Sequence, residues 1–241
     1  MVVQFDILRK EKRAEKQYTQ SIRYEYEDPN ESVANALRQI NKRQERKDIK
    51  GNPVPVIKWE CSCLQKKCGA CAMLINGKPG LACDARLTAY KTETIRLAPL
   101  RKFPVIEDLI VDRSILYENL KEMKAWLAGQ PELRKQGFEA AYEGSRCLQC
   151  GCCLEICPNF YAGGNFFGMA SMVPVARILE ELNENDRKSL IKEYKKHIYS
   201  GCGKSLSCRN ICPAQIDIEG LLVNSNALSV WKAGLRRHGG V

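Results

Sequence analysis

Alternation marks the first elements of the chain. In "VQFDI", Val3, Phe5 and Ile7 fall on one side of an extended backbone and Gln4 and Asp6 on the other, the period-two pattern of a half-buried strand. "IRYEYE" repeats it, with Ile22, Tyr24 and Tyr26 set against Arg23, Glu25 and Glu27, so the two segments are expected to pair as a hairpin. From Ser32 the period changes. Val33, Leu37 and Ile40 recur at helical spacing behind a serine able to cap the helix start. Short strands are predicted at "VPVIKW", "CAMLI" and "ETIRLAPL", with Asn76-Gly77 as a turn signal. A small mixed sheet with one helix across it accounts for residues 1 to about 100.

After "RKFPVIEDLIVD" the pattern becomes helical. Leu116, Leu120, Met123 and Leu127 share one face of a helix that stops near Gly129 and Pro131. Further helices are predicted at "VPVARILEEL", with Pro174 in a first turn, then at "RKSLIKEYKKHI" and "IEGLLVNSNALSVW". The expected fold class is α+β, with a sheet-based domain over residues 1–104 and an all-α domain over 105–241.

Composition narrows the class. The chain has 241 residues, 44% of them hydrophobic, which suits a globular protein of two modest domains. Thirteen cysteines is an odd number, so complete internal disulfide pairing is impossible. The opening "MVVQFDILRK" is too short in apolar residues for a secretory h-region. Closely spaced cysteines without such a signal point to metal binding in a reducing compartment. No run reaches the ~18 to 20 apolar residues that a membrane crossing needs. The net charge of +10 raises nucleic acid, anionic lipid or an acidic partner as ligands. Its densest patch, Arg43, Arg46, Lys47 and Lys50, has no interleaved aromatic residues and reads as a solvated loop.

The cysteines carry the chemistry. Cys63, Cys68, Cys71 and Cys83 give C-x4-C-x2-C…C, the plant-type ferredoxin spacing for a [2Fe–2S] cluster. A short loop wraps the irons, and Gly69 and Ala70 let backbone N–H groups approach the sulfides. Cys61 falls outside this register and is expected to be a small buried apolar residue. The second group, "CLQCGCCLEICP", places Cys147, Cys150, Cys153 and Cys157 before Pro158 as C-x2-C-x2-C-x3-C-P. In that bacterial run the fourth cysteine ligates the other cluster of a pair. A partner run is present: Cys202, Ser205, Cys208, Cys212 and Pro213 repeat the spacing 55 residues later.

Exchange of the fourth cysteines assigns the irons. Cys147, Cys150, Cys153 and Cys212 hold a [4Fe–4S] cluster. Cys157, Cys202 and Cys208 hold the other, where Ser205 replaces the fourth thiolate. A hydroxyl is a poor iron ligand beside thiolates, so a [3Fe–4S] cluster is expected there. A serine-ligated fourth iron and an empty site are the alternatives. Cys152 is read as filler pointing away from the cluster.

These motifs, with the linker "PLRKFPVIEDLIVD", resemble one family: the iron–sulfur subunit of succinate dehydrogenase and fumarate reductase. The resemblance covers nearly the whole chain. It implies a plant-type ferredoxin (β-grasp-like) domain followed by a bacterial-ferredoxin-like domain. It implies two partners, an FAD-containing flavoprotein that interconverts succinate and fumarate and a membrane anchor that binds quinone. Electrons would then run from FAD through [2Fe–2S], [4Fe–4S] and [3Fe–4S] to quinone, or the reverse. The chain would lie at the cytoplasmic side of the membrane, held by the anchor, with no catalytic residue of its own. Two features depart from the family: "CPNFYAGGNFFG" lacks a tryptophan after the first "CP", and Gly203 stands where some members carry histidine. Tyr161 and Lys204 are the quinone-side candidates, with aromatic packing as the plain alternative. His197 is read as a surface helix residue.

Two other readings compete. The same cluster wire also suits a soluble oxidoreductase with a thiol or ferredoxin donor, although thiol-linked relatives would carry more cysteine-rich sequence than the 29 residues beyond Cys212. A zinc-rich nucleic-acid-binding protein accounts for the charge and the cysteines, but C-x3-C-P is not zinc-finger spacing. No nucleic-acid partner is expected.

Overall fold

A computed structural model describes residues 1–131 and 137–231. The chain forms two compact units, Met1–Asp112 and Arg113–Val241.

The first unit is built on a five-stranded mixed sheet. Strands β1 (Val2–Arg9), β2 (Tyr18–Glu25), β3 (Ala72–Ile75), β4 (Lys78–Leu81) and β5 (Thr94–Ala98) stand in the order β2-β1-β5-β3-β4. β1 and β2 pair antiparallel with Phe5 opposite Ile22, and β1 and β5 run parallel. The alternation read from the sequence is the alternation of burial: Val3, Phe5, Ile7, Ile22 and Tyr24 are all buried. Each such aliphatic or aromatic side chain contributes about 1.5–3 kcal/mol by leaving water.

Helix α1 (Val33–Lys42) buries Val33, Ala34, Ala36, Leu37 and Ile40, and the Ser32 side chain accepts from Asn35 N. β3 and β4 meet at Asn76 and Gly77, whose φ values of 49° and 78° make the left-handed hairpin turn that this pair favours.

Residues 54–59, expected as a strand, join no ladder. Pro53 and Pro55 have no N–H to donate, so side chains hold the segment instead. Asn41 takes both the N–H and the C=O of Ile57, and Asp108 accepts from Lys58 N. Asp108 sits at the tip of a small hairpin, β6 (Val105–Glu107) and β7 (Ile110–Val111), and also receives Arg9 Nε at 2.8 Å. That buried pair ties the hairpin to β1, which is why the first unit continues to Asp112.

The second unit contains α2 (Ser114–Glu122), α3 (Phe138–Ser145), α4 (Cys152–Ile156), α5 (Met169–Glu181), α6 (Lys188–Tyr194) and α7 (Ile218–Asn226). Single π-turns follow α6 and α7 at Lys195–Tyr199 and Ala227–Trp231. α5 is its core. Nearly every residue from Met169 to Leu179 is buried, and α2, α3, α4, α6 and α7 all pack on it. α3 comes close because Gly144 has no Cβ, which would stand 2.9 Å from Val173 O.

Two helix boundaries differ from expectation. α2 ends at Glu122 rather than near Gly129, since Lys124 is left-handed at φ 54°. α5 begins at Met169, so Pro174 lies inside the helix and not in its first turn.

Candidate metal-cluster sites

The β3–β4 hairpin closes the first site. Its register carries the chain back so that Ala82 N donates to Cys71 O, and Cys83 lies beside Cys71. The start of α1 holds the same segment, with Val33 N and Ala34 N donating to Ala85 O and Ala82 O. Between Cys63 and Cys71 the loop turns through left-handed residues, Leu64, Lys66 and Gly69. These turns point N–H groups at sulfur: Gln65 N and Lys67 N lie 3.3 Å from Cys63 Sγ, and Lys66 N lies 3.3 Å from Cys83 Sγ.

The electrostatics follow. Hydrogen bonds from Gln65 and Lys67 bring the Cys63 thiol down to about 7. Burial pushes Cys71 up to about 12, with the neighbouring Cys83 and Cys68 adding repulsion. Lys66 Nζ pairs with Asp84 at 2.7 Å across the open side of the loop. Cys61 is exposed, not buried as expected, and lies in the irregular stretch before the loop.

In the second unit Cys147 and Cys150 precede α4, Cys153 lies in it and Cys157 ends it. Gly151, at φ 85°, makes the turn into the helix. The structure brings Cys147, Cys150, Cys153 and Cys212 to the wall of one cavity, closed by apolar side chains including Met169, Val173, Ile216 and Ile218. Burial and the mutual repulsion of these sulfurs drive Cys153 well above the ordinary thiol range and Cys147 to about 11. Cys150 goes the other way, to about 7, because the Cys152 thiol donates to it. Cys152 is therefore turned toward Cys150, which corrects the reading of it as outward filler: it is fully buried at the start of α4.

Cys157, Cys202 and Cys208 form a second neighbourhood, which adjoins the first through Cys208, close to Cys212 and Cys153. Cys208 is raised to about 11, chiefly by burial and then by the charges of Cys157 and Cys202. Ser205 is exposed, and its Oγ accepts from Ser207 at 3.3 Å. The backbone repeats with the sequence: Gln149 and Lys204 are left-handed at φ 50° and 56°, as are Gly151 and Leu206.

Beside this run Tyr161, Asn159, Asn165, Phe166, Lys196 and Ser200 line an open cleft. Tyr161 is 66% exposed. Lys204 is not part of the cleft lining; its Nζ lies over the Tyr199 ring at 5.9 Å. His197, expected at the surface, is buried. It stacks on Phe167 with ring centres 3.9 Å apart, and its Nδ1 faces Asn165 O at 2.8 Å. The helical period alone gave no sign that Phe167 would fold back over it.

The donor sets fit iron–sulfur clusters. Among the described residues no three His, Cys, Asp or Glu side chains converge as a single-ion site. Thiols instead surround a cavity or a loop with inward N–H groups, an arrangement matched to a body of several irons and sulfides.

Comparison with known proteins agrees. Residues 4–118 match the 2Fe-2S iron-sulfur cluster binding domain family, and residues 143–216 match the 4Fe-4S dicluster domain family. The chain is 36% identical over 202 residues to the succinate dehydrogenase iron-sulfur subunit of Bacillus subtilis, covering 79% of this chain and 78% of that one. It is 28% identical over 179 residues to the fumarate reductase iron-sulfur subunit of Escherichia coli, covering 70% of this chain and 72% of that one. The fold matches a chain of the Mycobacterium smegmatis Sdh1 complex in the apo form with a TM-score of 0.76 at 22% identity, over 96% of this chain and 97% of that one.

Proposed function

The chain belongs to the family of iron–sulfur electron-transfer subunits of succinate dehydrogenase and fumarate reductase, and from that membership we propose that it wires an FAD-containing flavoprotein to a membrane quinone site. In this reading the first unit is a plant-type ferredoxin domain whose [2Fe–2S] ligands are Cys63, Cys68, Cys71 and Cys83. The second is a bacterial-ferredoxin-like domain. Cys147, Cys150, Cys153 and Cys212 hold [4Fe–4S], and Cys157, Cys202 and Cys208 hold [3Fe–4S].

When bound, the clusters supply one-electron steps that divide the two-electron change made at a flavin. The chain's own residues hold and tune. Thiolates fix the irons, and the loop N–H groups of Gln65, Lys66 and Lys67 offset negative charge on sulfur. The apolar wall of Met169, Val173, Ile216 and Ile218 keeps water from the middle site. Ser205 leaves one corner without a thiolate. The cleft at Tyr161 is the quinone-side surface; Lys204, the other candidate, stands outside its lining, over the Tyr199 ring. Among the described residues no helix is long and apolar enough to cross a membrane; attachment at the cytoplasmic face is assigned to the anchor subunit.

One observation carries this reading: the two cysteine runs interlock. Cys212, from the second run, shares a cavity with three cysteines of the first, and Cys157 of the first neighbours Cys202 and Cys208 of the second. That exchange is the arrangement of a two-cluster ferredoxin. The test is anaerobic addition of succinate to the complex assembled with its partners. The centres whose potentials lie above the succinate–fumarate couple should become reduced within turnover time, and fumarate should reoxidise all three after chemical reduction. Centres that respond to neither compound would remove the succinate–fumarate assignment.

A further inference from the structure

We propose that Gln149 sets the reduction potential of the middle cluster site, by donating a side-chain hydrogen bond to the sulfur of Cys147 from a position fixed by α5. The inference rests on the four-iron reading of Cys147, Cys150, Cys153 and Cys212.

The geometry is specific. Gln149 Nε2 lies 3.2 Å from Cys147 Sγ and 2.8 Å from Ala170 O. Its Oε1 is buried without a hydrogen-bond partner. Rotating the amide would set Oε1 against a thiolate and a carbonyl, two acceptors, so the donor end must face inward. The amide is thus held in one orientation by both of its neighbours.

The second neighbour is available for a reason written in the sequence. In an α-helix the N–H of residue 174 would donate to the carbonyl of residue 170. Residue 174 is proline, inside α5, and has no N–H to give. The Ala170 carbonyl thereby lacks its ordinary helical donor, and Gln149 supplies one. Pro174, tolerated in a helix interior at some cost, aligns the amide that reaches the cluster cysteine.

The repeat provides an internal control. Lys204 occupies the equivalent position with the same left-handed backbone, φ 56° against 50°. Its side chain is exposed and reaches the Tyr199 ring rather than a cysteine. The loop conformation therefore does not require an inward donor at this position: the Gln149 side chain reaches a cysteine and that of Lys204 reaches a tyrosine ring. One-electron reduction adds negative charge to a cluster and its thiolates, and an N–H donor to sulfur favours that state, raising the potential.

The test uses the assembled complex. In Gln149→Leu, similar in volume and without a donor, a potentiometric EPR titration should show the four-iron midpoint shifted to more negative values. The midpoints of the other two centres should not move. Gln149→Glu, which presents a carboxylate to the sulfur, should shift the same midpoint further. A role confined to packing would move none of these. Wild-type complex labelled with 15N in its glutamine side-chain amides should also show a nitrogen coupling in pulsed EPR of the reduced four-iron centre. An unchanged midpoint in a Leu variant that keeps its four irons overturns the inference. So does absence of that nitrogen coupling in wild type, which decides the matter alone if the variants fail to assemble. Wild type without any four-iron signal overturns the cluster assignment beneath, and this inference with it.

Discussion

Gly151 and Leu206 make the same left-handed turn, at φ 85° and 53°, immediately after Cys150 and Ser205. Glycine adopts that conformation freely, whereas leucine is disfavoured there by about 1–2 kcal/mol. The second run keeps the loop shape of a cluster site even where the shape is unfavourable and the thiolate is gone. Such strain persists when the surroundings over-determine it, and three cysteines around a bound group would do so.

The first prediction concerns that corner. Ser205→Cys restores the missing thiolate in a loop already shaped for it, so the site should accept a fourth iron. The three-iron EPR signal of the oxidised protein should disappear, iron content should rise by one per chain, and the midpoint should fall. A variant that retains the three-iron signal would mean that something other than the missing thiolate excludes the iron.

A second prediction follows from the buried pair of the first unit. Arg9 and Asp108 are 3% and 4% exposed at the side chain and lie 2.8 Å apart. Asp108 also accepts from Lys10 N and Lys58 N. Asp108→Ala leaves the buried Arg9 charge without its counter-ion, although Gln20 and Val56 still accept from it, and leaves two backbone donors unpaired. It should cost about 3–5 kcal/mol in denaturant unfolding. Replacing both residues, Arg9→Met with Asp108→Leu, should recover part of that loss because no buried charge is stranded.

What the sequence made legible was local. The strands at Val3–Ile7 and Ile22–Tyr24 and the capped helix after Ser32 are set by neighbours within a few residues, and each is found where its period placed it. The misses depend on distant partners. Residues 54–58 are extended through Asn41 and Asp108 and join no strand. α5 starts early because "MASMV" is buried on every side and so shows no amphipathic period. His197 is covered by Phe167, which lies thirty positions away. The cysteines around the second unit's cavity stood out by spacing, but Gln149 did not: nothing in its spacing reveals that Pro174 would free a carbonyl for it.

A third prediction is a pH dependence. Tyr194 is buried, its hydroxyl donates to Asn226 Oδ1 at 2.8 Å, and burial raises it above its ordinary value of 10.0. A folded value above the unfolded one means that its contribution to stability is complete below pH 10 and falls as pH rises beyond it. Tyr194→Phe should flatten the alkaline loss of stability. At neutral pH it should cost about 1–3 kcal/mol, because Asn226 Oδ1 is left unsatisfied. Thermal melts across pH 7 to about 11 separate the two effects.

The fourth concerns Gly168, which begins α5 at φ 68°. A Cβ there would collide with Leu154 Cδ2 on α4. Gly168→Ala combines a disfavoured backbone with overpacking and should destabilise the second unit by about 1–3 kcal/mol. Because α4 carries Cys153, it should also lower the iron retained at the middle site relative to the [2Fe–2S] site, measured on the purified chain.

The central claim is three clusters of three kinds in one chain. Low-temperature EPR on anaerobically purified protein, oxidised and then reduced stepwise beside iron and sulfide analysis, tests it most directly. Oxidised [3Fe–4S] is paramagnetic, while oxidised [2Fe–2S] and [4Fe–4S] are not. The account predicts a three-iron signal before any reduction, joined by two further species as the potential falls. An oxidised sample that is silent and contains zinc, or that yields two four-iron centres on reduction, would contradict it.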